Sequence, residues 1–336
     1  MRALVTGATG FLGSHIVERL LAQGHEVRAL ARPTSDTSFL KSTGASIVFG
    51  DVTDHDTLQP AVAGADVVFH TAARVTPGWG SWPQFQAAIV RGTENVLGAA
   101  AGAGCTRFVY MSSGGVYGRA CQGDTPVCES TPCDVVFGPD TYYESAKLRA
   151  EAAVLDHKLR GKMDVTILRP AAVYGPRDRL VSDHLYRHLS LPVVVWPNGA
   201  EARYSIVFAS DAADCAIAAA AADVAAGQAY NVATPEPVRF RDFAATMLRA
   251  MGGRRLQFSV PYGLGHASCA AIEAWSKLAR VQGMPYLTRS GLRFLRHGMV
   301  LDGSRARHEL GWEPKVTIEQ GTRRYVQWRR SQRETR

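Results

Sequence analysis

The sequence predicts an α/β fold: a doubly wound parallel sheet with a smaller, interleaved C-terminal lobe. Short apolar runs alternate with helical stretches through the first half of the chain, and a glycine-rich turn follows the first apolar run. The predicted strands cover 2–6, 26–31, 46–49, 67–70, 108–112 and 165–169, and the predicted helices cover 13–23, 56–62, 85–102 and 143–159. Strands and helices that alternate in this way form a parallel sheet with helices on both faces.

The pattern changes after residue 170, where prolines separate short elements and one alanine-rich helix is predicted over 211–222. We expect residues 1–170, with part of 200–235, to form the sheet domain. Residues 171–336 are expected to form most of the smaller lobe, which would bind the substrate.

Composition indicates a packed globular protein, because 46% of the 336 residues are hydrophobic and 20% are charged. No apolar run reaches the roughly 18 residues of a transmembrane helix, so no stable membrane insertion is expected. The first residues lead directly into a predicted strand without a cleavable apolar segment, so a cytoplasmic location is expected.

Charge and cysteines exclude other classes of function. Part of the net charge of +8 lies in residues 323–336. We interpret this stretch as a solvated basic tail; attraction to an anionic membrane surface or an acidic substrate stays open. No nucleic-acid-binding motif accompanies it. Cys121, Cys128 and Cys133 lack metal-ligand spacing, so free thiols and no metal site are expected.

The glycine turn predicts a dinucleotide site. Gly7, Gly10 and Gly13 follow the first strand and open a helix. Gly7 allows the tight turn, Gly10 lets a pyrophosphate approach the backbone, and Gly13 lets the helix pack against the sheet. The N–H groups at the helix N-terminus then bind the phosphates.

The end of the second strand favours NADP(H), with NAD(H) still possible. Folds of this kind that bind NAD usually carry an acidic residue there, whereas this chain has Ala31 and then Arg32. A guanidinium group pairs with a 2′-phosphate, and the hydroxyls of Thr34 and Ser35 could assist. The alternative is a solvated Arg32 that stacks on adenine.

Further cofactor contacts are predicted at the ends of the next strands. Asp51 is placed to accept a hydrogen bond from the adenine amino group, and the small Ala72 and Ala73 leave room for the cofactor. His70 is interpreted as a packed residue. The complete predicted set is Gly7, Thr9, Gly10, Phe11, Leu12, Gly13, Arg32, Asp51, Val52, Ala72, Ala73, Tyr143, Lys147, Pro170 and Val173.

A tyrosine and a lysine four residues apart predict a proton-transfer site. Tyr143 and Lys147 share one helix face, whereas Tyr142 points elsewhere. A nearby ammonium group, together with the positive nicotinamide ring in the oxidised state, is expected to lower the tyrosine pKa towards working pH. Ser113 or Ser112, at the end of the preceding strand, would hold the reacting oxygen.

The chain resembles the extended short-chain dehydrogenase/reductase family through TGATGFLG, GDVTD, VFHTAA, SSGGVYG, YESAK, LRPAAVYGP and SRARHELGWEP. The resemblance implies a Rossmann-type domain, a nicotinamide cofactor, a homodimer and a Ser113–Tyr143–Lys147 catalytic set. HTAARVTPGWGSWPQFQAAIVRGTENVL and MPYLTRSGLRFL are similar to 3β-hydroxysteroid dehydrogenases and bacterial long-chain ketoacid reductases, and VRALARPTS to dihydroflavonol-reductase-like proteins. These likenesses imply a ketone or secondary alcohol on an apolar molecule.

Two departures from the family pattern bear on mechanism. Ile89 replaces the asparagine of the family's N-V-x-G-T segment, which removes one polar group near the nicotinamide end. Gly114 and Gly115 stand where sugar-nucleotide dehydratases carry an Asp–Glu pair, so no acid is expected there to drive elimination.

Aromatic residues are expected around an apolar substrate cleft. They are Trp79, Trp82, Phe85, Phe137, Tyr174, Trp196, Tyr204 and Phe208, and Trp79, Trp82, Phe137, Tyr174 and Arg203 are the predicted substrate residues. Three roles stay open for Arg203: a diphosphate clamp as in sugar-nucleotide epimerases, a carboxylate site, or a structural ion pair. The amphipathic segment 271–295 is expected to cap the pocket, with membrane contact as the alternative.

These observations predict an NADPH-dependent ketone reductase or secondary-alcohol dehydrogenase that acts on an apolar small molecule. Tyr143 would exchange the proton, Lys147 would lower its pKa and hold the ribose, and Ser113 would orient the oxygen. The alternatives are a sugar-nucleotide epimerase with tightly bound NAD and a non-catalytic dinucleotide sensor.

Overall fold

The computed structural model describes residues 1–76, 79–161, 163–279 and 288–334. The strands are β1 Arg2–Thr6, β2 Glu26–Ala31, β3 Ser46–Phe49, β4 Val67–His70, β5 Arg107–Met111, β6 Asp164–Pro170, β7 Ala172–Tyr174, β8 Val193–Pro197, β9 Arg203–Tyr204, β10 Ile206–Phe208, β11 Ala229–Val232, β12 Val238–Arg239 and β13 Leu256–Val260. The helices are α1 Phe11–Ala22, α2 Ser38–Thr43, α3 Gln59–Val62, α4 Trp82–Phe85, α5 Gly92–Gly102, α6 Tyr142–Arg160, α7 Val181–Leu189, α8 Ala209–Ala221, α9 Phe240–Met251, α10 Tyr262–Leu278, α11 Arg289–His297, α12 Ser304–Leu310 and α13 Ile318–Glu334.

A seven-stranded parallel sheet forms the centre of the molecule, in the order β11-β6-β5-β4-β1-β2-β3. One face packs against α1 and α8 around a buried apolar cluster, and the other packs against α3, α5 and α6 around a second cluster. Helices on both faces confirm the predicted doubly wound α/β fold. The sequence analysis missed β11, which extends the sheet beyond β6.

The smaller lobe is built from two-stranded pairs and helices of the C-terminal half. Its core lies between α7, α9 and α13 and contains Tyr204, Phe243 and Tyr325. Most of the predicted basic tail is therefore not a free tail: α13 covers 318–334 and buries Tyr325 completely. None of the described helices has the length and apolar character needed to span a bilayer.

The connection between β4 and β5 contains an irregular helix that packs against one face of the sheet. A π-helical turn over Gln86–Arg91 joins α4 to α5. Ile89 lies in this turn with its side chain completely buried, where it supplies no polar group. The isoleucine at this position is thus a core residue of the α5 face.

Candidate active site

A cavity of about 1570 Å³ lies at the carboxyl ends of the central strands, between the sheet and the smaller lobe. β1 and β4 are neighbours in the sheet although the chain leaves them towards opposite edges. Parallel sheets bind ligands at this switch point. The volume exceeds that of a typical single-ligand pocket, roughly 300–1,000 Å³, so a dinucleotide and a substrate can lie side by side.

The glycine turn packs so closely against its neighbours that Gly7 and Gly13 have no room for a side chain. Gly7 has a φ of +68°, and a Cβ added to it would lie 2.7 Å from the backbone nitrogen of Ala72. A Cβ on Gly13 would lie 2.3 Å from the carbonyl oxygen of Gly7. No side chain caps the N-terminus of α1, and its first turn carries no acidic residue. Its N–H groups therefore suit a pyrophosphate.

All fifteen predicted cofactor residues line this one cavity. They are Gly7, Thr9, Gly10, Phe11, Leu12, Gly13, Arg32, Asp51, Val52, Ala72, Ala73, Tyr143, Lys147, Pro170 and Val173. Most of them follow β1, β2, β3 and β4 or lie on α6, whereas Pro170 ends β6 and Val173 lies in β7; the ends of these elements meet at one edge of the sheet, which explains why residues so distant in sequence converge. The cavity thus presents the set of groups that a nicotinamide dinucleotide requires.

The cavity end near β2 carries a cation without a carboxylate partner. Arg32 is exposed and forms no ion pair within the described part of the chain. The neighbouring Asp36 accepts hydrogen bonds from the backbone N–H and the hydroxyl of Ser38, at 2.9 and 2.6 Å. Asp51 Oδ1 accepts from the N–H and hydroxyl of Thr53, at 2.9 and 2.8 Å. These contacts fix both carboxylates and leave Arg32 facing the cavity.

Ser113, Tyr143 and Lys147 meet at the inner end of the cavity. Ser113 follows β5, and its Oγ accepts a hydrogen bond of 3.1 Å from the N–H of Gly115. Tyr143 lies in the first turn of α6, within hydrogen-bonding reach of Ser113. Lys147 is 2% exposed, and its Nζ donates a 2.5 Å hydrogen bond to the carbonyl oxygen of Met111.

Burial controls the protonation of this group. It lowers the pKa of Lys147 to about 7, because the ammonium group has little contact with water. It raises the pKa of Tyr143 above its ordinary value; the nearby Glu144 raises it further, and the hydrogen bond with Ser113 acts in the opposite direction. In the chain alone, desolvation thus sets the direction of the tyrosine pKa shift; the lowering expected from the ammonium group together with an oxidised nicotinamide ring stays a prediction.

Sequence analysis missed Glu144, a carboxyl group in the cavity wall. Its side chain lies against Gly115, where an added Cβ would be 3.0 Å from Glu144 Cγ. Burial raises its pKa. The sequence analysis expected no acid at this place, because Gly114 and Gly115 replace an Asp–Glu pair. The structure places the carboxyl group of Glu144 there instead. The signal that could have found Glu144 is its position directly after Tyr143, at the N-terminus of α6.

The structure does not bring the five predicted substrate residues into the lining of the described cavity; they are Trp79, Trp82, Phe137, Tyr174 and Arg203. Trp82 and Phe137 form a surface cluster whose rings lie 4.5 and 5.4 Å from the guanidinium carbon of Arg149. Arg149 thus covers one face of each ring by a cation–π contact.

The other predicted substrate residues lie in the core or at the surface. Tyr174 is 1% exposed and packs edge-on against Phe208. Trp79 contacts Lys277, with the ammonium nitrogen 5.7 Å from its ring centre. Arg203 is exposed and donates a 3.4 Å hydrogen bond to the carbonyl oxygen of Pro237. Whether an aromatic residue reaches the cavity depends on the direction of its side chain, and the position of the residue in the sequence does not determine that direction.

The apolar wall of the cavity comes mainly from the smaller lobe. Of the eight aromatic residues predicted around the cleft, Trp196 lines the described cavity. The other wall residues include Leu185, Phe240, Leu292, Phe294 and Met299. Residues 280–287 of the predicted capping segment 271–295, including the start of MPYLTRSGLRFL, lie outside the described residues. The part of the segment in α11 does contact the cavity.

Comparisons of the sequence with known proteins show which families and enzymes this chain is similar to. The model of the NAD dependent epimerase/dehydratase family matches residues 3–233. The chain is 31% identical over 332 residues to the 2-alkyl-3-oxoalkanoate reductase of Stenotrophomonas maltophilia, with 96% of this chain and 98% of that protein covered. It is 33% identical over 336 residues to a 3β-hydroxysteroid dehydrogenase/Δ5→4-isomerase of Mycobacterium tuberculosis, with 95% and 88% covered.

Solved structures share the fold. The UDP-glucose 4-epimerase of Thermotoga maritima, solved with UDP-glucose, superimposes with a TM-score of 0.78 at 22% identity, and 99% of each chain is covered. At this identity the likeness shows the fold alone.

Proposed function

The chain belongs to the NAD dependent epimerase/dehydratase family, whose members are NAD(P)-dependent oxidoreductases, and we propose that it is an NADPH-dependent ketone reductase or secondary-alcohol dehydrogenase for an apolar substrate. The observation that carries the proposal is the meeting of Ser113, Tyr143 and Lys147 in the cavity that contains the glycine turn. A carbonyl oxygen bound beside Ser113 and Tyr143 would accept hydrogen bonds from their hydroxyl groups.

The three residues divide the work. When bound, the nicotinamide supplies or accepts a hydride. Ser113 orients the carbonyl oxygen, with its own position fixed by the Gly115 N–H. Tyr143 donates its proton to that oxygen during reduction and takes it back during oxidation. Lys147, anchored on Met111, holds the ribose and stabilises the tyrosinate that forms.

The preference for an apolar substrate rests on the wall of the smaller lobe. Trp196, Phe240, Leu292, Phe294 and Met299 face the cavity, so most of a bound molecule would lose contact with water against hydrocarbon. Two relatives support this: their names give a 2-alkyl-3-oxoalkanoate and a 3β-hydroxysteroid as substrates. We assign cofactor binding to residues 1–170 with part of 200–235, and substrate binding mostly to 171–336.

The preference for NADPH rests on Arg32. Its guanidinium group lines the cavity after β2 and has no ion-pair partner in the described residues, so it is available to a 2′-phosphate.

The second candidate is a sugar-nucleotide epimerase with tightly bound NAD, because the family to which the chain belongs includes NAD dependent epimerases. The position of Arg203 counts against it, since this side chain lies outside the described cavity and contacts Pro237. A clamp for a diphosphate would have to reach the substrate.

A substrate panel separates the two candidates. NADPH and NADH consumption is followed with a 3-ketosteroid, a long-chain 3-oxoacid, a bicyclic aromatic ketone and a UDP-hexose. We expect turnover of an apolar ketone with NADPH. Conversion of the UDP-hexose without net cofactor consumption, and no reaction with any ketone, would overturn the reductase proposal in favour of the epimerase.

A further inference from the structure

A buried carboxyl group lies beside the proposed reaction centre, and the mechanism above gives it no task. A Cβ added to Gly115 would be 3.3 Å from Ser113 Oγ and 3.8 Å from Glu144 Oε1. Both oxygens thus lie within 4 Å of one point at the cavity wall. A substrate held by Ser113 would therefore have Glu144 as its neighbour.

The surrounding protein does not account for this carboxyl group. Glu144 Oε2 is buried and has no hydrogen-bond partner among the described residues. The nearest guanidinium group, that of Arg293 on α11, is engaged by Asp140: it donates a 3.0 Å hydrogen bond to the carbonyl oxygen and lies 3.4 Å from the carboxylate. A buried polar atom without a partner costs stability, so a ligand atom that pairs with Glu144 Oε2 would be favoured at this place.

Gly115 makes this arrangement possible. A Cβ at this position would lie 3.0 Å from Glu144 Cγ, so the glutamate side chain would have to shift by a few tenths of an ångström. A glycine after β5 and a glutamate after Tyr143 are therefore one structural unit, formed by residues 29 positions apart in the sequence.

We propose that Glu144 binds a second oxygen atom of the substrate, next to the carbonyl group that is reduced. This inference rests on the proposed reductase function and adds a substrate class to it: ketones that carry an ester, acid or second keto group close to the reacting carbon.

The chemistry of the site agrees with such a role. Burial raises the pKa of Glu144, and the carboxyl of Asp140 adds to this, while Arg293 opposes it. The raised pKa favours the protonated form, which donates a hydrogen bond to a carbonyl or carboxylate oxygen, whereas the ionised form accepts one from a hydroxyl group. The same group would gain nothing from a ketone whose neighbouring atoms are all hydrocarbon.

The test compares two substrates on three proteins. The substrates are the methyl ester of a long-chain 3-oxoacid and the ketone of the same length and carbonyl position without the ester. The proteins are the wild type, Glu144→Met, which removes the donor at similar length, and Glu144→Gln, which keeps an N–H donor. Steady-state kcat/KM with NADPH is measured for each pair.

We expect the wild type to prefer the ester, and Glu144→Met to lose about tenfold or more on the ester with little change on the plain ketone. Glu144→Gln should keep most of the preference. Equal losses of Glu144→Met on both substrates would show a merely structural role and overturn the proposal. So would a Glu144→Gln variant as impaired as Glu144→Met, because it would indicate proton transfer.

A binding measurement keeps this inference separate from the reductase proposal. Calorimetry of the 3-hydroxy ester with the NADPH-loaded protein involves no turnover, because both partners are already reduced. If Glu144→Met binds the ester about tenfold more weakly but binds the plain alcohol normally, the inference stands. Equal affinities overturn it. Absence of turnover of either ketone by the wild type would instead contradict the proposed reaction.

Discussion

Replacing Gly13 by alanine tests the dinucleotide turn through one methyl group. In the present packing this methyl carbon would lie 2.3 Å from the carbonyl oxygen of Gly7 and 2.7 Å from Thr71 Oγ1. Gly98 offers a matched control: it is also a helix residue, on α5, but no described atom lies within 4 Å of the added Cβ. Both changes give a helix the better helix former, so only the contact differs.

The geometry sets the size of the effect. Alanine gains roughly 0.5–1 kcal/mol over glycine inside a helix. An oxygen at 2.3 Å must move by roughly 1 Å to restore ordinary contact, and overpacking of this kind costs about 1–3 kcal/mol. We therefore expect Gly13→Ala to lose about 1–2 kcal/mol of unfolding free energy and Gly98→Ala to gain up to about 1 kcal/mol.

Cofactor binding should follow the same displacement. Moving the start of α1 weakens at least one N–H hydrogen bond to a charged phosphate, worth about 1.5 kcal/mol or more. The dissociation constant of NADPH should then rise about tenfold in Gly13→Ala and stay unchanged in Gly98→Ala. Denaturant unfolding and fluorescence titration with NADPH measure the two effects. A Gly13→Ala protein as stable as the wild type and with wild-type NADPH affinity would refute the reasoning.

Three more changes address single residues of the site. Tyr143→Phe should lower kcat by about 1,000-fold with NADPH affinity nearly unchanged, while Tyr142→Phe, a change outside the cavity lining, should stay active; steady-state kinetics and NADPH titration of both decide. Arg32→Asp should shift the NADPH-to-NADH affinity ratio by more than about tenfold towards NADH in competitive titrations; an unchanged ratio would exclude Arg32 as the discriminator. The pKa of Lys147 is lowered from 10.5 in the unfolded chain to about 7 in the folded protein. Between these two pH values the unfolded chain binds more protons than the folded protein. The contribution of Lys147 to the free energy of unfolding therefore rises with pH. Lys147→Met, which removes this burial penalty, should therefore gain more over the wild type at pH 7 than at pH 9, by about 2 kcal/mol; a gain that does not vary with pH would contradict the pKa.

The sequence predicts the central sheet well because its strands are short apolar runs separated by turns. Small residues after β1 and β4 could likewise be identified from the sequence, because they leave room for a backbone or a ligand. They are Gly7, Gly10, Gly13, Ala72 and Ala73. β11 was missed because its four residues lie among prolines and loops of the second half. The π-helical turn at Gln86–Arg91 has no periodic signature that would announce it.

The lining of the cavity in the smaller lobe could not be predicted from the sequence, because it depends on tertiary packing. Trp82 and Phe137 have the right chemistry, but their rings pack around Arg149 on the outside of α6. Phe294 and Met299 reach the cavity because the C-terminal lobe folds back over the sheet. The position of Glu144 could not be predicted from the sequence either, because it depends on the absence of a side chain at Gly115.

Hydride transfer to a carbonyl carbon is the central claim, and an isotope measurement tests it most directly. The protein is incubated with NADPH that carries deuterium at the transferred position and with the most active ketone of the panel, and the alcohol is analysed by mass spectrometry. The account predicts one deuterium on the carbinol carbon and a matching loss from the cofactor. An alcohol without deuterium, or a cofactor that keeps its label while a sugar nucleotide is epimerised, would contradict it.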